Sequence, residues 1–191
     1  MTEQPTGHRI AAAALAILVD EGAEAVTMRR VATAAGITPM AIYKHYPDRL
    51  ALLRSVADAA FGEVGGTWGR AGGDFRARFD GLLDDFLDFA LGQPHLYAFL
   101  LTDRREQARR FPQDFGHGAS PLYRHVVKAV EDGMRDGILR ADDPLEVALS
   151  FTSSTQGLVQ LYLGGRIGLP EKDFRELCRR TAWRIFDGIK A

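Results

Sequence analysis

Apolar residues along this chain return every three or four positions, and no stretch alternates apolar with polar for long enough to make a useful strand. Ile10, Ala13, Ala14, Ile17 and Leu18 share one helical face, and Phe75, Phe79, Leu82, Leu83, Phe86 and Phe89 share another. Phe174, Leu177, Cys178, Thr181, Ala182, Ile185 and Ile189 form a third, wider stripe. A chain patterned this way can bury its apolar surface only by packing helix on helix, so the expected class is all-α with about nine helices.

Local punctuation places the breaks. Gly22 ends a first helix, Thr27 caps a second that buries Val31, Ala32 and Ala35, and Gly36 stops it. Thr38 followed by Pro39 starts a third, expected to run to Tyr46, because proline at the first helical position gives up an N–H that has no partner there. Pro47 disfavours helix at Tyr46, and Asp48 caps a fourth helix carrying Leu50, Leu53, Ala57, Ala60, Phe61 and Val64. Six glycines at 62, 65, 66, 69, 72 and 73 predict that this helix frays there into a flexible connection, with the loop near Gly65 to Gly73. Further helices are expected from Phe75, from Pro94 through Leu101, over 121–136, from Pro144 to Leu163 and from Glu171 to Ile189, with a loop over 111–121.

Bulk properties bound the function. At 191 residues, 46% of them hydrophobic and 26% charged, the chain suits a small module joined to a larger one. The opening MTEQPTGHRI has acid and proline where a secretory leader needs base and an apolar run, which points to a cytoplasmic protein with no membrane association. Cys178 is the only cysteine, so an internal disulfide is excluded, and it reads as a small buried side chain. Net charge is −1, so the molecule as a whole is no polycation. Between Thr27 and Arg49, however, Arg29, Arg30, Lys44 and Arg49 face a single acid, Asp48.

The second and third helices are joined by about three residues around Gly36, which gives the crossed pair of a helix-turn-helix. In such a pair the second helix enters the major groove while neighbouring elements grip phosphates. The runs Thr27-Met28-Arg29-Arg30-Val31-Ala32, Ala35-Gly36-Ile37-Thr38 and Ala41-Ile42-Tyr43-Lys44-His45-Tyr46-Pro47-Asp48-Arg49-Leu50 strongly resemble the DNA-binding domain of the TetR family of transcriptional regulators. The resemblance covers about the first 50 residues. It implies that Thr27, Tyr43, His45 and Arg49 meet backbone phosphates and that Arg29, Thr38, Pro39, Met40 and Lys44 lie near base edges or the groove wall. Arg49 stands where the family more often has lysine. Met40 and Tyr46 read equally well as core residues and Arg30 as a solvated charge, with Tyr46 assigned to packing.

The domains are expected at 1–48, binding DNA, and 49–191, binding a ligand and dimerising. The later region is similar to the WHG-type ligand-binding domain of the same family through Gln93-Pro94-His95-Leu96-Tyr97-Ala98-Phe99-Leu100-Leu101 and Thr155-Gln156-Gly157-Leu158-Val159. It departs from that pattern with Thr152 at the tryptophan position and Gln156 at the histidine position. Such domains hold a mostly apolar small-molecule effector between helices. The candidate lining is Phe61, Trp68, Phe86, Phe89, Tyr97, Phe99, Tyr123, Phe151, Thr155 and Gln156, although aromatics at helical spacing also serve as ordinary core. The resemblance further implies a homodimer built on the last two helices, for which Leu158, Leu161, Tyr162, Thr181, Ile185 and Ile189 are the candidate interface, with burial inside one chain as the competing account.

The expected function is sequence-specific binding of double-stranded DNA as a repressor, on a palindromic operator released by the effector. Neither cofactor nor metal is expected, since there is no phosphate loop, no metal-ligand spacing and no nucleophile elbow. An enzyme would need residues such as Asp114, His117 and Ser120 for chemistry, and a polar loop explains these more simply. The remaining alternative is a helical ligand-binding or dimerisation adaptor without specific DNA binding.

Overall fold

The computed structural model describes residues 5–69, 72–105, 108–115 and 120–191. Among them lie nine α-helices and no strand, beyond one isolated antiparallel bridge between Leu139 and Lys190. The described residues form two compact units, one within Met1–Glu63 and Gln93–Ala108, the other within Val64–Gly92 and Arg109–Ala191. No helix of the described residues is long and apolar enough to cross a membrane.

In the first unit, α1 (Thr6–Glu21) buries Ile10, Ala14, Ile17 and Leu18, the face the periodicity gives. Gly22, at φ 85°, ends it, and a single 3₁₀ turn, Ala23–Ala25, leads into α2 (Met28–Ala34). Thr27 caps α2 by accepting from the amide of Arg30 at 3.3 Å. At its other end Gly36, at φ 66°, closes the helix, with Gly36 N donating to Thr33 O and Ile37 N to Ala32 O. Arg9 of α1 donates to Ala35 O, one of the carbonyls left without a helical partner.

Thr38 caps α3 (Pro39–Ile42), accepting from Ala41 N at 3.2 Å. The regular helix is shorter than the expected run to Tyr46. Past Ile42 the chain turns through His45, with Lys44 N reaching Ala41 O and His45 N reaching Ile42 O. Pro47 accounts for the tightening, since the residue before a proline avoids helical geometry. Asp48 then caps α4 (Arg49–Thr67) by accepting from Ala51 N at 2.7 Å. Leu52, Leu53, Val56, Ala57, Ala60 and Phe61 are buried, whereas Leu50, expected on that face, is exposed. The short α6 (Pro94–Tyr97) runs into a π-helical turn, Ala98–Thr102, and packs against α1.

The glycine-rich stretch departs from expectation. Helix α4 passes through Gly62, Gly65 and Gly66 and ends at Thr67, two residues past the start of the loop expected near Gly65. Packing overrides the low propensity. Gly65 is buried, and a Cβ there would lie 2.9 Å from both Cβ and the carbonyl oxygen of Pro121. His125 Nε2 lies 2.8 Å from Gly65 O, and Trp68 is buried edge-on against Phe86 and Phe89. The helix therefore needs glycine at 65 in order to dock.

The second unit is built on α5 (Phe75–Gly92), α7 (Tyr123–Arg135), α8 (Pro144–Leu163) and α9 (Glu171–Ile189). Asp143 caps α8 through the amides of Leu145 and Glu146, and α7 ends on Gly137 at φ 70°. Phe79 sits at the centre of an aromatic core, with ring centroids 4.6 Å from Phe151 and 5.7 Å from Trp183. Gly133 lets α7 approach Phe75, whose Cε2 would be 2.7 Å from an added Cβ. Beside this core Asp80, Asp84 and Asp88 of α5 meet Arg179 and Arg175 of α9, with Arg179–Asp84 and Arg175–Asp88 both at 2.7 Å. Trp183 Nε1 donates to Asp80 at 2.8 Å. Cys178 is buried, and burial pushes its thiol up to about 11.

Candidate nucleic-acid interface

The helix-turn-helix is held by its apolar side and leaves its polar side open. Val26, Val31, Ala32, Ala35 and Ile42 are buried and fix α2 against α3, which settles Ile42 and Val31 as the core of the motif. On the other side Met40 is 75% exposed and Tyr43 is 51% exposed. An apolar side chain this open, one residue inside a helix start, is no core residue, so that alternative for Met40 falls. Thr38, Pro39, Lys44 and His45 are exposed alongside it. Thr27 and Arg29, at the start of α2, are exposed as well.

The flanking residues divide differently. Tyr46 is half-buried, with its hydroxyl 3.3 Å from Ser55 Oγ on α4, and so serves packing. Arg30 is paired with Glu21 at the end of α1, its Nη1 donating to Oε2 at 3.0 Å. The shared hydrogen bond lowers the Glu21 carboxyl below its usual range and raises Arg30 above its own. Arg30 is thus a paired surface charge rather than a freely solvated one. Arg49 donates from Nε to Val26 O at 2.7 Å and from Nη2 to Ala23 O at 2.6 Å. Its guanidinium is engaged by the loop between α1 and α2.

Of the candidate effector residues, Trp68, Phe86 and Phe89 come together in the second unit, with Trp68 6.2 Å from Phe86 and 6.3 Å from Phe89 between ring centroids. Phe151 belongs instead to the Phe79 and Trp183 cluster, and Tyr123 packs edge-on to Phe115 at 4.8 Å. The hydroxyl of Tyr123 donates to Leu145 O at 2.6 Å, and burial pushes its ionisation up to about 12. Thr155 donates back to Phe151 O at 3.0 Å within its own helix, and Gln156, on α8, is half-buried. Phe61, Tyr97 and Phe99 lie buried in the first unit, with the Arg105 guanidinium 4.7 Å over the Phe99 ring.

On the last two helices Leu161 is 44% exposed, and Leu158, Thr181, Ile185 and Ile189 are half-buried. Tyr162 stacks on Phe174 at 4.0 Å within the chain. Leu163 and Leu169 are also exposed nearby.

The residues of the enzymatic alternative serve the local backbone. Asp114 accepts from Arg110 N at 2.8 Å, and Ser120 is buried, accepting from Tyr123 N at 3.5 Å. His117 and the middle of the expected 111–121 loop lie outside the described residues. No cluster of three or more potential metal ligands occurs among the described residues.

Three features escaped the reading of the sequence: the Arg49 bonds to carbonyls, the His125 contact with Gly65 and the α5–α9 charge ladder. Only the ladder left a signal, in acids at 80, 84 and 88 against bases at 175 and 179, each series at helical spacing. Bonds from a side chain to a distant carbonyl leave no periodic trace.

Comparison with known proteins agrees with this geometry. Residues 10–56 match the model for bacterial regulatory proteins of the tetR family, and residues 79–183 match that for a tetracyclin repressor-like C-terminal domain. No curated protein sequence matches the chain. Among solved structures, a Rhodococcus sp. RHA1 protein of unknown function superposes with a TM-score of 0.80 at 23% identity, covering 99% of this chain and 97% of that one. A TetR family transcription regulator from Marinobacter aquaeolei VT8 gives 0.70 at 20% identity over 97% and 95% of the two chains. The regulator FadR from Bacillus subtilis, solved with stearoyl-CoA, gives 0.74 at 13% identity over 95% and 98%.

Proposed function

The chain belongs to the TetR family of bacterial regulatory proteins and is a DNA-binding transcription regulator, and from that premise we propose that it is a cytoplasmic repressor bound as a homodimer to a palindromic operator and released by a small-molecule effector. The observation that carries the DNA side is the open side of α3 and of the turn after it, where Thr38, Pro39, Met40, Tyr43, Lys44 and His45 stand exposed around a buried Ile42. In this reading Arg29, Thr38, Pro39, Met40 and Lys44 lie near base edges or the groove wall, and Thr27, Tyr43 and His45 meet phosphates, whereas the Arg49 guanidinium is engaged by backbone carbonyls. Phosphate contacts release counterions and give affinity, while base contacts give preference.

Domain roles follow from the family: residues 1–48 read DNA, and 49–191 bind effector and pair the protomers. A mostly apolar effector suits the Trp68, Phe86 and Phe89 cluster of the second unit. The Bacillus subtilis FadR is solved with stearoyl-CoA, whose acyl chain is long and apolar and whose CoA head is polar and charged, and it supports an effector with a long apolar part on the same fold. Leu158, Leu161, Thr181, Ile185 and Ile189 supply apolar area on α8 and α9 for a two-fold interface. Helix α4 has residues in both units, so effector binding that favours one of its positions shifts the reading heads.

A gel shift with the DNA flanking the protein's own gene, at moderate salt and with random competitor, tests this reading. A shifted band that survives competitor is expected. Binding no tighter than to the competitor would favour the adaptor alternative.

A further inference from the structure

The helix-turn-helix lies between two points that one side chain ties together. Residues 22–26 lead into α2, and Arg49 is the first residue of α4, the helix that follows α3. Arg49 reaches back across this whole segment to Val26 O at 2.7 Å and Ala23 O at 2.6 Å. Both carbonyls lie before the Thr27 cap, outside α2, and Ala23 O also accepts from Val26 N at 3.1 Å in the 3₁₀ turn, so the Val26 carbonyl is the one on which the clasp chiefly acts. Two parallel donors on one planar group suit two carbonyls spaced along one strand of backbone, which a single ammonium cannot match. A cation in the first turn of a helix is also disfavoured by the helix dipole, and the carbonyl oxygens here offset that.

From this geometry we propose that Arg49 is a positioning residue that clasps the entry and exit of the helix-turn-helix, fixing α2 and α3 on α4 for DNA binding, and is not itself a phosphate contact. The inference rests on the DNA-binding reading above. Its chain of effect is short. Val26 precedes Thr27, whose Oγ1 and carbonyl receive the amides of Arg30 at 3.3 Å and Val31 at 2.9 Å. Releasing the Val26 carbonyl therefore loosens the cap that starts α2, and with it the platform under α3. Lysine at 49, with one nitrogen, holds one carbonyl at a time, while the Ala23 carbonyl keeps its bond from Val26 N in either case.

The test compares Arg49→Ala and Arg49→Lys with the unaltered full chain in two measurements. The first is amide hydrogen exchange without DNA. Exchange at Arg30 and Val31 is expected to rise about tenfold or more in Arg49→Ala, the scale of one charged hydrogen bond, and by less in Arg49→Lys, while amides of α5, α8 and α9 stay as they were and show that the chain is folded. Unchanged exchange at these two amides would overturn the clasp. The second is affinity against salt for a 30-base-pair duplex chosen by the unaltered protein from a random pool. Arg49→Ala is expected to bind about tenfold more weakly and Arg49→Lys less so, both with the same dependence on salt as the unaltered chain. A slope reduced by about 0.9 in Arg49→Ala and restored in Arg49→Lys would mark a phosphate contact and overturn the proposal. If the unaltered chain selects no duplex, the regulatory reading fails, and the exchange measurement alone decides the clasp.

Discussion

Helix α4 runs through three glycines without breaking, and paired substitutions at two of them test that continuity. Gly62 and Gly65 sit one turn apart inside the same helix. A Cβ added at Gly62 meets nothing within 4 Å, so Gly62→Ala keeps only the helix-propensity gain of about 0.5–1 kcal/mol. At Gly65 the added carbon would lie 2.9 Å from Pro121 Cβ and 2.9 Å from Pro121 O, closer than such contacts occur. Backbone must move to admit it, and overpacking of this kind costs about 1–3 kcal/mol, more than the propensity gain returns. Both variants share the propensity gain, so they should differ by the overpacking cost alone, about 1–3 kcal/mol. For a chain this long, at about 2–4 °C per kcal/mol, their Tm values should separate by roughly 2–12 °C, with Gly62→Ala above the unaltered protein and Gly65→Ala below it. Thermal unfolding followed by circular dichroism reads the separation. If Gly65→Ala stabilises as much as Gly62→Ala, residue 65 lies in an open, frayed end and the docking of α4 against Pro121 and His125 is wrong.

Other consequences can be measured separately. Lys44→Ala should weaken binding to every duplex and lower the salt slope by about 0.9, whereas Met40→Ala should change which sequences are preferred and leave the slope alone, as read by anisotropy across a duplex panel. Asp132 is held below the usual carboxylate range by its hydrogen bond from Lys128, with Arg135 adding to it. Its stabilisation is then complete above the ordinary value of 3.8 and fades as pH falls through the lower folded value, so the Tm gap between the unaltered chain and Asp132→Asn should be open at pH 6 and close in stronger acid. A gap that stays constant with pH would contradict that. Cys178, with its thiol raised to about 11, should react with iodoacetamide at pH 8 on the order of a hundredfold more slowly in the native protein than in denaturant. Equal rates would mean that α9 is not packed.

The sequence was most legible where a local rule decides the outcome. Thr27, Thr38 and Asp48 each cap the helix their position announces, and Gly36 closes α2 in the left-handed conformation that only glycine adopts cheaply. Legibility failed where a distant partner outweighs a local preference. Low propensity at Gly65 yields to the close approach of Pro121, a partner far along the chain that no local rule could place. At the candidate site, exposure separates Met40 from a core reading that sequence left open. For the aromatic candidates the spacing on helices said nothing of which cluster each would join. Phe86 and Phe89 meet Trp68, whereas Phe151 meets Phe79, because rotation of whole helices against one another decides it.

Selection of bound sequences from random double-stranded DNA, with the full chain at moderate salt, tests the central claim most directly. The account predicts enrichment of an inverted repeat whose half-site centres lie roughly 34–36 Å apart along the helix, or a multiple of that, as two copies of α3 in successive major grooves require. A bound pool no richer in any sequence than the starting one would contradict it.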